Sequence, residues 1–198
     1  MTAAIPKEVL DIFKSTGAYL RGHFRLTSGL HSNEYLQCAK VLQYPERAER
    51  LGRQLASALL GLIQERKPDV VIAPAMGGLI IGHEVARALG VRFIFTERDA
   101  SGQMTLRRGF AIEPGETAVV IEDVVTTGGS SREVIEIVRR AGAAVAAAGS
   151  IIDRSGGKVD LGTPRASLAA LEVVAYSPED CPLCRQNIPV TKPGSRPS

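Results

Sequence analysis

From about residue 45 onward the chain alternates between two hydrophobic rhythms: short continuous apolar runs, and stretches with an apolar residue at every third or fourth position. The first suits buried strands and the second amphipathic helices, and their alternation predicts a parallel sheet. Pro45 fits a first helical position, and Ala48, Leu51, Leu55, Leu59, Leu62 and Ile63 mark one helical face running to Arg66 before Pro68. Asp69–Ala73 (DVVIA) reads as a buried strand. Gly77 and Gly78 break the chain, after which Ile81, Val85, Ala88 and Leu89 space a second helix that stops at Gly90, and Val91–Phe95 (VRFIF) returns as a strand. Residues 96–116 are polar and aperiodic, a long loop or a β-hairpin. Ala118–Glu122 is a third strand. Ser130 and Glu133 form a capping box for a helix with Val134, Ile137, Val138 and Ala141 on its apolar face, ended by Gly142. Ala146–Ile152 and Leu171–Ala175 bring the predicted strands to five.

This gives one α/β domain over residues 1–198, with a five-stranded parallel sheet flanked by helices in a core from about 45 to 175. Segments 1–44 and 176–186 break the alternation and are assigned to a hood. The proline-rich stretch 187–198 is expected to be a mobile tail.

Composition narrows the class without choosing a function. A chain of 198 residues, 44% apolar, buries a sufficient core without disulfides or metals. Lys and Arg number 24 against 21 Asp and Glu, and a net charge of +3 argues for neither a nucleic-acid nor a membrane partner. The longest apolar stretch, Ala143–Ile152, is half of the about 20 residues a span needs. Lys7, Glu8 and Asp11 stand where a secretory signal would be apolar, and three cysteines suit a reducing compartment, so a cytoplasmic location is expected.

The chemistry concentrates in residues 119–131, VVIEDVVTTGGSS. An apolar strand ends in two acids, then a Thr/Gly/Ser loop leads into a helix. Unpaired N–H groups and the positive end of a helix dipole bind a phosphate monoester, and glycines let the backbone approach it. Thr126, Thr127, Ser130 and Ser131 add hydroxyl donors without a lysine. Glu122 and Asp123, at the carboxyl end of a parallel strand, sit where open α/β sheets bind ligands and suit sugar hydroxyls or a hydrated Mg²⁺. Neither GxxxxGK[ST] nor a strand followed by GxGxxG occurs.

These residues resemble the phosphoribosyl pyrophosphate signature of type I phosphoribosyltransferases. FRLTSGLHSNEY (24–35), APAMGG (73–78), FTERDASGQMTLRRGF (95–110), IIDRSGG (151–157) and CPLC (181–184) extend the likeness to the orotate phosphoribosyltransferase family, in a clade typified by thermophilic bacteria. The resemblance implies the type I fold and transfer of ribose 5-phosphate to orotate, giving orotidine 5′-monophosphate and pyrophosphate for pyrimidine synthesis. It also implies Mg²⁺ carried mainly by the substrate and a homodimer with shared sites. Glu122, Asp123, Val124, Val125, Thr126, Thr127, Gly128, Gly129 and Ser130 would hold phosphoribosyl pyrophosphate. Ala75, Met76, Gly77 and Gly78 would form the pyrophosphate loop, and Thr126 and Arg154 would contact orotate. The guanidinium of Arg154 suits a carboxylate, the alternative being a surface salt bridge. A phosphoribosyltransferase for another base, or a phosphoribosyl-pyrophosphate sensor on the same fold, are the competing readings.

Many relatives carry lysines where this chain has Thr27 and Gly77, and a Lys/His pair on a catalytic loop where residues 96–109 contain only Arg98, Arg107 and Arg108 as cations. We expect Arg98 and one of Arg107 or Arg108 to replace the lysines in catalysis, alongside Asp123. Cys181 and Cys184 have zinc-knuckle spacing but no second pair follows, so they are half a zinc site or two spare thiols. Cys38 reads as a core thiol and His83 as structural. His23 and His31 show no metal spacing, and Phe24 and Tyr35 line a base pocket or pack in the core.

Overall fold

The computed structural model describes residues 6–26, 28–63, 67–170 and 174–193. In chain order it has helix α1 (Lys7–Ser15), a hairpin of strands β1 (Tyr19–Arg25) and β2 (His31–Leu36), helices α2 (Cys38–Leu42) and α3 (Pro45–Leu60), and strand β3 (Val70–Pro74). Helix α4 (Gly78–Leu89), strands β4 (Arg92–Arg98), β5 (Met104–Leu106) and β6 (Thr117–Val125), and helix α5 (Gly129–Arg140) follow. Strands β7 (Ala144–Asp153) and β8 (Arg165–Ala170) and the short helix α6 (Pro182–Arg185) complete it.

The main sheet has the order β5-β4-β3-β6-β7-β8. Strands β4, β3, β6, β7 and β8 run parallel, and β5 is added antiparallel to β4, so 96–116 contains a hairpin. Successive residues of the central strands feed opposite cores. Val71, Val119 and Ile121 pack under α3 and α4, while Val70, Ile72, Ala118 and Val120 pack under α5. Burial on both faces explains why these strands read as unbroken apolar runs. Among the described residues no helix is long and apolar enough to cross a membrane.

Several local expectations need correction. Helix α3 ends at Leu60, short of Arg66, which lies outside the described residues with Gln64 and Glu65. Ala86, not Ala88, faces the core from α4. The last parallel strand is Arg165–Ala170, not Leu171–Ala175; residues 171–173 are outside the described set. Its polar residues are satisfied inside the fold: Ser167 Oγ lies 2.8 Å from Ser150 Oγ, and Arg165 pairs with Asp153. Helix α5 starts before Ser130, with Gly128 as N-cap at φ 75° and no side-chain cap, so there is no capping box. A left-handed glycine with small residues behind it starts the helix where a Ser would otherwise have to.

Residues 1–44 and the C-terminal segment meet at β1 and β2. Tyr176 exchanges both backbone hydrogen bonds with His31. The start of the expected mobile tail is instead tied down: Thr191 N–H donates to His23 O and its carbonyl accepts from Arg25 N–H, each at 2.8 Å. Gly194–Ser198 lie outside the described residues.

Candidate active site

The carboxyl ends of β3, β4, β6 and β7 share one edge of the sheet because all four strands are parallel, and that edge gathers the chemistry. After β3 the chain turns through Ala75–Gly77 into α4, with the Ala75 N–H held by Thr96 O at the end of the neighbouring strand (2.8 Å). The Ala75–Met76 peptide is cis, and Met76 projects into solvent with 74% of its surface exposed. Gly77 lies directly against Asp123 of β6: a Cβ built there would stand 2.5 Å from Asp123 Oδ1. The position at which many relatives carry a lysine is thus occupied by a close backbone approach, and no side chain fits without moving Asp123.

Asp123 accepts a hydrogen bond from its neighbour's N–H, Val124, at 2.8 Å. Burial pushes its carboxyl above the ordinary aspartate value, against the pull of that N–H. The following loop, Thr126–Gly128, is exposed at both threonines and ends on Gly128, whose Cβ would strike Val159 Cγ1 at 2.7 Å and Leu161 Cδ2 at 2.8 Å. Arg132, in the first turns of α5, holds the loop from behind through Thr127 O (2.7 Å) and Asp160 O (2.8 Å). The first N–H groups of α5, directly after this loop, have no partner within the helix. Arg132 carries no signal in the sequence, because its second partner, Asp160 O, is 28 residues away.

Arg154 follows β7 directly. Its backbone N–H donates to Val125 O at 2.8 Å, which fixes it beside the acid strand. The side chain is half-buried, its guanidinium lies 5.5 Å over the Tyr35 ring, and its buried Nη2 has no hydrogen-bond partner among the described residues. Burial lowers its pKa from the usual arginine value and raises that of Tyr35, which the Arg154 charge partly offsets. Tyr35 in turn packs on Phe24 at 5.8 Å between ring centres. Behind Arg154, the fully buried Asp153 accepts from Ser155 Oγ (2.6 Å), Ser155 N (2.8 Å), Gly157 N (3.0 Å) and Arg165 Nη1 (2.7 Å), folding residues 153–157 into a rigid turn.

The three arginines of residues 96–109 lie on the β4–β5 hairpin. Arg98 donates to both oxygens of Glu133 and to Gly102 O, and Arg108 to both oxygens of Glu97. Arg107 is exposed; its carbonyl accepts from Phe110 N–H at 3.0 Å, while its guanidinium makes no hydrogen bond among the described residues. Thr27 lies outside the described residues. Cys38 is buried with its Sγ 3.9 Å from Asp123 O, and His83 is exposed on α4 beside Glu84. Cys181 and Cys184 do not face this edge; they sit on the β1–β2 hairpin beside His23 and His31.

Comparison with known proteins agrees with this arrangement. The phosphoribosyl transferase domain model matches residues 41–164, more than half of the chain. The orotate phosphoribosyltransferase of Pelotomaculum thermopropionicum is 60% identical over 96% of this chain and 97% of its own length. That of Heliobacterium modesticaldum is 58% identical over 96% and 97%. The crystal structure of orotate phosphoribosyltransferase from Aeropyrum pernix superposes with a TM-score of 0.69 at 27% identity, covering 83% of this chain and 94% of that one. With relatives this similar along almost their whole length, the chain belongs to the orotate phosphoribosyltransferase family.

Proposed function

We propose that this chain transfers the ribose 5-phosphate of phosphoribosyl pyrophosphate to N1 of orotate, releasing pyrophosphate. The observation that carries the choice of base is the unpartnered Nη2 of Arg154, a buried cationic donor at the sheet edge between Tyr35 and Val125. A buried guanidinium is costly until it meets an anion, and a planar carboxylate on a planar base satisfies it while the ring stacks against Tyr35. Uracil, adenine and hypoxanthine have no carboxylate to offer.

The loop Thr126–Ser130 and the start of α5 receive the 5-phosphate through N–H and hydroxyl donors. Glu122 and Asp123 lie under the ribose, where they bind its hydroxyls and favour positive charge growing at C1 as the pyrophosphate bond lengthens. Ala75–Gly78 offer backbone N–H groups to the leaving pyrophosphate, and Arg98, Arg107 and Arg108 surround it with positive charge. Orotate N1 then bonds to the carbon as the C1–O bond to pyrophosphate breaks, its N–H proton leaving to the departing pyrophosphate or to water, with no protein nucleophile. The donor set suits magnesium: Glu122 and Asp123 provide only oxygen ligands, and Asp123 lies against the Gly77 backbone, beside the place proposed for the pyrophosphate. Bound with the substrate, Mg²⁺ supplies neutralising charge on the pyrophosphate oxygens.

The same reading includes a cytoplasmic homodimer in which the β4–β5 hairpin of one protomer serves its partner's site, supported by family resemblance and by the exposed Arg107. Initial rates with orotate, uracil, adenine and hypoxanthine, each with Mg²⁺ and phosphoribosyl pyrophosphate, test the substrate. Turnover of orotate alone is expected; turnover of another base at a comparable rate overturns the assignment of Arg154.

A further inference from the structure

The geometry points to a structural metal site, of the zinc type, built from His23, His31, Cys181 and Cys184 at the junction of the chain's two ends. The four side chains come from three separate places: His23 from β1, His31 from β2, and the cysteines from the turn that opens α6. Their ligating atoms all lie within 4.8 Å of one another. His23 Nε2 is 2.8 Å from His31 Nδ1, 3.5 Å from Cys181 Sγ and 3.7 Å from Cys184 Sγ, and Cys184 Sγ is 3.3 Å from His31 Nδ1. A tetrahedral zinc with bonds of about 2.0–2.1 Å to nitrogen and about 2.3 Å to sulfur sets ligand-to-ligand edges of roughly 3.3–3.8 Å. Three of these four separations fall within that range, and the His–His edge needs to open by only about 0.5 Å.

Two further features separate this cluster from an accidental meeting of polar groups. His23 Nδ1 lies 2.7 Å from Ile188 O, and a carbonyl can only accept, so the proton is on Nδ1 and the lone pair of Nε2 is aimed at the other three ligands. A backbone carbonyl that fixes the ligating tautomer is the usual outer-shell support of a metal-bound histidine. The cluster is also dry: His23, His31 and Cys181 are 3%, 6% and 0% exposed, and only Cys184 reaches the surface. Four neutral or thiolate ligands of the Cys₂His₂ type with no open position make a closed, structural site rather than a catalytic one.

The position explains what the metal does. The hairpin it clamps carries Tyr35 on β2, and Tyr35 lies over Arg154. The C-terminal segment it clamps is the one whose Tyr176 and Thr191 pair with His31, His23 and Arg25. The metal therefore staples the hood to itself and holds the ring that covers the base-binding arginine.

The test uses the full-length protein without an affinity tag, purified without chelator. Elemental analysis is expected to find about one zinc per chain, and metal-free protein titrated with Co²⁺ is expected to develop the visible bands of tetrahedral cobalt together with thiolate-to-metal charge transfer. Cys184→Ser, at the ligand nearest the surface, and His31→Ala should each lower bound zinc at least tenfold while the far-ultraviolet circular dichroism remains that of a folded α/β protein. A parent protein that is folded, holds no metal and gives no tetrahedral cobalt spectrum overturns the site. So does a parent in which Cys181 and Cys184 are found joined as a disulfide.

Discussion

Arg98 and Glu133 form a two-pronged ion pair, each guanidinium Nη 3.0 Å from one carboxylate oxygen, linking the β4–β5 hairpin to the second turn of α5. The pair is exposed, with 37% and 42% of the two side chains accessible, so its contribution to stability is at most about 1 kcal/mol. An exchange from Glu133 to pyrophosphate oxygens therefore costs little. Arg98→Ala and Arg107→Ala are each expected to lower kcat/KM for phosphoribosyl pyrophosphate at least about tenfold, the loss of one charge-assisted contact. Glu133→Gln is expected to leave Tm within about 2 °C, because an exposed ion pair contributes so little, and not to lower the rate. Steady-state kinetics decide it: if both arginine variants stay within twofold of the parent, these residues do not replace the lysines.

Arg154→Ala removes the proposed partner of the orotate carboxylate. Loss of a hydrogen-bonded charge contact of about 1.5–3 kcal/mol predicts a drop of roughly 10- to 150-fold in kcat/KM for orotate. The KM for phosphoribosyl pyrophosphate should stay within about threefold, since that substrate meets other residues. Arg154→Lys should recover only part of the loss, because an ammonium cannot present a planar pair of donors. An equal effect on both substrates would point to collapse of the 153–157 turn instead.

Asp153→Asn tests that turn separately. Burial opposes the Asp153 charge, but the Ser155 hydroxyl and Arg165 hold its pKa below the usual 3.8. A lowered carboxyl contributes stability that is present above 3.8 and is lost as the pH falls through the lower, folded value. Taking away the charge strands Arg165, and breaking a buried pair costs about 3–5 kcal/mol, roughly 6–20 °C in Tm. Thermal melts should show the full deficit at pH 7 and a smaller one near pH 3. A deficit that does not change with pH would mean the pair is not the cause.

Gly128→Ala meets two obstacles at once, a left-handed φ of 75° and the methyl groups of Val159 and Leu161. The conformational term is about 1–2 kcal/mol and overpacking adds about 1–3 kcal/mol. Tm should fall by about 4 °C or more, and KM for phosphoribosyl pyrophosphate should rise because the loop must shift. Unchanged melting would show that the loop repacks freely.

The strands buried on both faces, β3, β6 and β7, are legible as apolar runs, and so are the half-buried β4 and the loop after β6, whose glycines and acids are contiguous. What escaped was whatever depends on partners far along the chain. β8 (RASLAA) looks too polar for a strand because its Ser167 and Arg165 find Ser150 and Asp153 only after folding. Glu133 reads locally as half of a capping box, whereas its partner is Arg98 on another strand. His23 and His31 are eight residues apart, a spacing without meaning until the hairpin brings them together and a segment some 150 residues later closes over them.

The gathering of the site on one sheet edge also has a kinetic consequence. Ala75–Gly78, Glu122–Ser130 and Asp153–Gly157 are neighbours only because β3, β6 and β7 pair side by side, and each of those pairings closes a long loop of chain. Parallel pairings of high sequence separation form slowly. During refolding, helical signal should therefore return before activity does, and no fragment ending ahead of β7 can carry the complete site.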